Sequence, residues 1–135
     1  MTNSGQITSG AGSLDINVVG DLTLETSGAV SIQTDGGTID LTGCATVFLG
    51  DDTVLDTELG NDGDAGDIAF ASGGSVQGAY TLTLDASTGG GTGGDVTLGT
   101  MGTTTPVEIL TINAAGSVSN GTINLYGDIE TIGAQ

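Results

Sequence analysis

Lysine, arginine and histidine do not occur in this chain, which carries 17 Asp plus Glu and a formal charge of −17. Binding nucleic acid needs cationic side chains to displace phosphate counter-ions, so nucleic acid is excluded as a partner. Attraction to an anionic membrane surface is excluded for the same reason. Catalysis loses its usual nitrogen side-chain bases, and carboxylates are the acid–base groups it has in number. A surface of one sign keeps the chain in solution and gathers cations wherever carboxylates crowd, so stability is expected to rise with salt or calcium.

Cysteine occurs once, as Cys44, so no intrachain disulfide can staple the fold. Cys44 reads as a small buried hydrophobe, with an interchain disulfide as the alternative. No apolar run is long enough to cross a bilayer, and Met1-Thr-Asn-Ser lacks the basic start of a secretory signal. Membrane insertion is not expected, and an export address would have to lie outside this chain. Helices are disfavoured, because glycine and β-branched residues interrupt every window that could hold one. Aromatics are few: Phe48, Phe70, Tyr80 and Tyr126. Phe70 falls on an apolar row and is expected in the core, whereas Phe48 lies between Val47 and Leu49 and faces out when they face in.

What is present is a rhythm. The 135 residues suit one domain, 1–135, and although 26 are glycine, 36% are hydrophobic and alternate with Thr, Asp and Ser. Pairs of apolar residues two apart recur as Leu14/Ile16, Leu22/Leu24, Val30/Ile32, Ile39/Leu41 and Val47/Leu49, which is strand periodicity broken by turns. Every third phrase aligns as Leu14, Ile39, Ile68, Val96 and Ile123, in steps of 25, 29, 28 and 27. A second row runs Val30, Leu55, Leu82 and Leu110, and a third Leu22, Val47, Val76 and then Thr104, where an apolar residue is due. Gly66-Asp67-Ile68 matches Gly94-Asp95-Val96, and Leu82-Thr83-Leu84 matches Leu110-Thr111-Ile112, both at an offset of 28. Two phrases sharing one offset indicate a repeat. The predicted fold is all-β: a parallel β-helix, or β-solenoid, of about five coils of 25–29 residues with three short strands each. Thr103-Thr104-Thr105-Pro106 predicts a wider corner, and Ser87–Gly94 a glycine-rich one that lacks the lysine of a phosphate loop.

Gly50–Asp67 concentrates seven acids: Asp51, Asp52, Asp56, Glu58, Asp62, Asp64 and Asp67. Within it Asn61, Asp62, Asp64 and Asp67 place three carboxylates and an amide oxygen on a glycine-bent loop, the donor chemistry of a calcium site, without the helix-loop-helix ligand pattern. Asp51-Asp52 is the pair a carboxylate-based polysaccharide hydrolase of β-helix type would use, but neighbouring strand residues point to opposite faces. No catalytic residue or required cofactor is assigned, and the chain is read as a non-enzyme. Ice binding by outward threonines is a further alternative; the outward positions Asp15, Thr23, Ser31, Asp40, Ala69, Thr83, Thr97 and Thr111 mix threonine with other residues.

DVTLGTMGTTTPVEILTINAAGSVSNGTINLYGDIETIGAQ, with YTLTLDASTGGGTGG before it, resembles very large bacterial β-strand-repeat surface and secreted proteins related to filamentous haemagglutinins. The likeness is best over residues 66–135 and is one of style over 1–65. It implies a right-handed parallel β-helix fibre outside the cell or on its surface, serving adhesion, cell–cell contact or biofilm matrix. It carries over no catalytic residue. Family arrays are far longer and capped, and this chain shows no obvious cap, so the expected partner is the chain itself, stacked axially into a filament, with calcium or other cations bridging carboxylates. Surface glycans, stacking on Tyr80 or Tyr126, are the alternative partner.

Overall fold

The computed structural model describes residues 5–133; Met1–Ser4, Ala134 and Gln135 lie outside the described residues. Its strands are β1 (Gly5–Ser9), β2 (Leu14–Asp15), β3 (Gly20–Leu24), β4 (Val30–Thr34), β5 (Ile39–Leu41), β6 (Cys44–Leu49) and β7 (Thr53–Asp56). They continue as β8 (Ile68–Phe70), β9 (Ser75–Gln77), β10 (Thr81–Asp85), β11 (Val96–Leu98), β12 (Thr100–Met101), β13 (Ile109–Asn113) and β14 (Ile123–Leu125). Every third strand joins the same sheet: β1-β4-β7-β10-β13, β2-β5-β8-β11-β14 and β3-β6-β9-β12. All pairings between strands are parallel. The chain is therefore a β-solenoid of about four turns, with β13 and β14 opening a further one. Among the described residues there is no helix long and apolar enough to cross a membrane.

The interior is built from columns of like side chains. In the second sheet Leu14 pairs with Ile39, Ile39 with Ile68, Ile68 with Val96 and Val96 with Ile123, as the spacing predicts. Phe70 and Cys44 are buried and Phe48 is exposed, also as expected. Cys44 points its thiol at the Ile16 carbonyl, 3.4 Å away.

Two rows differ from the expected alignment. Val30 and Leu82 pair with Thr53, not with Leu55, which instead joins Ile32 and Leu84. A slip of two keeps the same face inward, and buried Thr53 fits the apolar column because its hydroxyl donates to the Asp51 carbonyl (3.0 Å). In the third sheet Met101, fully buried, takes the place expected of Thr104 and pairs with Val76. The chain then leaves the wall at Gly102, whose φ of 74° suits glycine, and Thr103–Thr105 form the wide corner. The first strand, β1, has Gly5 at one of its inward positions, so the sequence shows no apolar alternation there.

That wide corner hangs on Gln77, a buried side chain. Its Oε1 accepts from the backbone N–H of Thr104 (3.1 Å) and Thr105 (2.8 Å), and its Nε2 donates to the Thr103 hydroxyl (3.2 Å). Gln77→Ala orphans two backbone donors and is expected to cost roughly 2 kcal/mol. Hydrogen exchange should speed up at Thr104 and Thr105 in that variant while the β10 amides stay protected.

The corner before the second sheet is the tightest place in the coil. Gly12, Gly37, Gly66, Gly94 and Gly121 stack there, one per coil, each two residues before an inward apolar side chain. A Cβ on Gly37 would strike the Gly12 carbonyl, one on Gly66 the Gly37 carbonyl, one on Gly94 that of Gly66, and one on Gly121 that of Gly94. Close approach, not a left-handed φ, is what demands glycine here. The intervening residue clasps successive coils together. Thr38 N–H donates to Ser13 Oγ (3.1 Å), Asp95 N–H to Asp67 Oδ1 (2.8 Å) and Thr122 N–H to Asp95 Oδ1 (2.7 Å). The carbonyls of Thr38, Asp67, Asp95 and Thr122 accept in turn from Leu14, Ile39, Ile68 and Val96.

Candidate metal centre and solenoid ends

The acids of Gly50–Asp67 have no cationic side chain to pair with, and apart from the Gln33 side-chain amide, which donates to Asp56 (3.3 Å), the donors that reach them are backbone N–H groups. Asp51 accepts from Thr26 in the preceding coil (2.8 Å) and Asp52 from Thr81 in the following one (2.9 Å). The tempting pair thus faces opposite ways along the axis, each carboxylate stapling a different neighbour. Asp56 caps Glu58 N–H (3.1 Å) and Asp64 accepts from Thr92 N–H (2.8 Å). Together with Asp67, these side chains make hydrogen bonds that lysine or arginine cannot make, since both only donate.

Of the four residues considered as calcium ligands, only Asp62 enters a close group of acids. Asp35, Glu58 and Asp62 bring carboxylate oxygens within 4.8 Å of one another. Asp64 and Asp67 direct Oδ1 to backbone donors of the next coil, and Asn61 forms the turn itself with φ of 54°. Glu58 is the centre of the group: it is 2% exposed, whereas Asp35 and Asp62 lie at the surface. Its Oε1 accepts from Asp62 N–H (3.2 Å) and Gly63 N–H (3.3 Å), which folds the loop back over it. Asp35 and Glu58 meet through an isolated antiparallel bridge. Oxygen-only donors grouped in this way suit calcium or magnesium.

Asp35 joins the group through the strand register. Val30 pairs with Thr53, a step of 23 residues, which also sets Asp35 beside Glu58. Aligning Val30 with Leu55 puts the two acids out of phase.

From Glu58 onward the corner widens into stacked loops. Thr88 donates its hydroxyl to the Gly63 carbonyl (2.7 Å), Ala65 N–H reaches Thr92 (2.9 Å), and Val118 N–H reaches Gly91 (3.0 Å). The glycines of Ser87–Gly94 serve that stacking: a Cβ on Gly90 would strike Asp62 backbone, and one on Gly91 the Gly63 carbonyl.

Among the described residues the apolar columns are exposed in the first and last coils. Ile68 is 0% exposed, but Ile7 is 48%, Ile123 46% and Leu125 53%. At the N-terminal end a mouth of about 460 Å³ opens between Ile7, Ile16, Leu22, Leu24, Val30 and Ile32. β1 and β13 are the outer strands of the first sheet, and β2 and β14 those of the second. No family model, curated protein or solved structure matches the chain.

Proposed function

We propose that the chain is a non-catalytic structural protein of an extracellular fibre or adhesin, which associates end to end through its solenoid edges into filaments or matrix. The observation that carries this reading is the exposure of the outermost described coils, where buried columns continue as exposed Ile7, Ile123 and Leu125. An outer strand with free backbone groups is a template for another strand, and apolar side chains beside it add the burial that makes pairing favourable. The extracellular setting rests on the resemblance of residues 66–135 to filamentous-haemagglutinin-like proteins.

The other readings find less support. The carboxylates of Asp51 and Asp52 are engaged by backbone donors in different coils. Along the first sheet the outward column reads Gln6, Ser31, Val54, Thr83 and Thr111, not the uniform threonine row that would order water.

Cations enter this reading because a charge of −17 opposes every contact between copies. Calcium would be drawn to Asp35, Glu58 and Asp62, and a general salt effect to the whole surface. The expected result is a melting temperature that climbs with calcium and with ionic strength, and filaments under the electron microscope that shorten when a chelator is added. Monodisperse monomers with and without chelator, at low and high salt, would sink the filament reading. A calcium titration with no heat, in the wild type and in Glu58→Gln alike, would remove the metal centre and leave the filament standing.

A further inference from the structure

We infer that the Gln77 side-chain amide and the Thr103 hydroxyl join in an ester, a covalent staple between successive coils that the chain makes on itself. The bond lies within one copy and does not depend on how copies assemble.

The wide corner brings an electrophile and a nucleophile together. Gln77 occupies an outward position of the third sheet, next in column after Thr23 and Phe48. It is nonetheless 4% exposed, because residues 103–105 of the following coil fold over it. Backbone N–H groups only donate, so the atom that faces Thr104 and Thr105 is Oε1 and the one that faces Thr103 is Nε2.

Two N–H groups on one carbonyl oxygen, at 3.1 and 2.8 Å, form the arrangement that stabilises the oxyanion of a tetrahedral intermediate in acyl transfer. The Thr103 hydroxyl lies 3.2 Å from Nε2, the atom bonded to the amide carbon. Held there by the fold, nucleophile and carbonyl need no encounter step, which is the advantage of an intramolecular reaction.

The missing residue types leave a hydroxyl as the nucleophile. Without lysine no side-chain amine can close an amide cross-link, and with one cysteine no intrachain disulfide can form. In the step itself Thr103 Oγ1 bonds to Gln77 Cδ and the Cδ–Nε2 bond breaks. Nε2 departs as ammonia, its third hydrogen being the hydroxyl proton, relayed by water at the exposed Thr103. Nothing is oxidised or reduced. The chain has no histidine to act as base, so hydroxide removes that proton, and closure is slow and quickens as pH rises. Ammonia escapes into dilute solution, and the burial of Gln77 screens the ester carbonyl from hydrolysis. Gln77 and Thr103 are 26 residues apart, one coil, so the bond fastens β9 to the coil that follows. It closes a ring as a disulfide does, limiting the freedom of the unfolded chain.

Peptide mapping of the full-length protein, freshly made and after long incubation in mildly alkaline buffer, tests the bond. The protein is unfolded and cut by an endoprotease that cleaves before aspartate. Residues 67–84, with Gln77, and 95–127, with Thr103, then separate unless they are linked. The expected product is the two joined, lighter by one ammonia, growing with incubation and split by hydroxylamine, which cleaves esters and spares amides. Thr103→Val should abolish it and Thr103→Ser restore it. Separate fragments of full mass after the alkaline incubation would overturn the proposal. Ammonia lost from 95–127 without linkage to 67–84, as ring closure at Asn120-Gly121 gives, would overturn it equally.

Discussion

Replacing Gly94 by alanine is expected to cost roughly 3 kcal/mol, the upper part of the range for forcing atoms into a packed interior. Gly94 stacks directly on Gly66, and the added Cβ would fall on the Gly66 carbonyl oxygen. Neither backbone can retreat. Gly66 rests on Gly37 below, Gly121 rests on Gly94 above, and Asp95 and Thr122 clasp the adjoining peptides by hydrogen bonds of 2.8 and 2.7 Å. Relief would require a coil to tilt, which breaks ladder hydrogen bonds on either side of the corner. The control is Gly73→Ala, where a Cβ meets nothing within 4 Å. It should stay within about half a kcal/mol of wild type. Urea unfolding of the two variants checks the contrast, and equal midpoints would show that the glycine column is not what fixes coil spacing.

The same corner explains how much of the fold was legible. A glycine, a Ser, Thr or Asp, and then an apolar residue recur in every coil because close backbone approach and an inward column meet there, joined at Ser13, Asp67 and Asp95 by a side-chain acceptor for the next coil. Leu14, Ile39, Ile68, Val96 and Ile123 were therefore placed correctly from spacing alone. Leu55 and Thr104 were not, because each follows a corner whose length varies and which has no such constraints. Thr53 can replace an aliphatic side chain once its hydroxyl donates a hydrogen bond to the Asp51 backbone carbonyl, and Met101 can do so by shape; an alternation of apolar residues shows neither. The candidate metal centre was legible only at Asp62. Glu58 lies in the same loop, but Asp35 comes from the preceding coil, and finding it beside Glu58 needs a register that is right to the residue. The Asp residues at coil corners also read as surplus charge in a sequence, whereas in the solenoid Asp51, Asp52, Asp64 and Asp67 are acceptors for backbone donors of adjoining coils.

Ile68 and Ile123 belong to one column and differ only in the coil they occupy, so identical substitutions there separate folding from assembly. Ile68 is 0% exposed and lies between Ile39 and Val96. Ile68→Ala should cost about 3 kcal/mol, because the removed methyl groups leave a void that stacked backbones cannot close. Ile123 has Val96 on one side only and is 46% exposed. Ile123→Ala should lower monomer stability by roughly 1 kcal/mol, in proportion to the smaller area that folding covers. The order reverses for association. Where a second copy covers this column, Ile123 in a filament gains the surroundings of Ile68, and the alanine variant forfeits the remaining roughly 2 kcal/mol, about thirtyfold in the junction's association constant. Ile68→Val, a milder change that keeps the monomer folded, should leave association unchanged because its side chain touches neither end. Sedimentation of the three proteins alongside their unfolding curves gives both quantities. An Ile123→Ala protein that assembles as readily as wild type would show that the exposed column is not the surface through which copies meet.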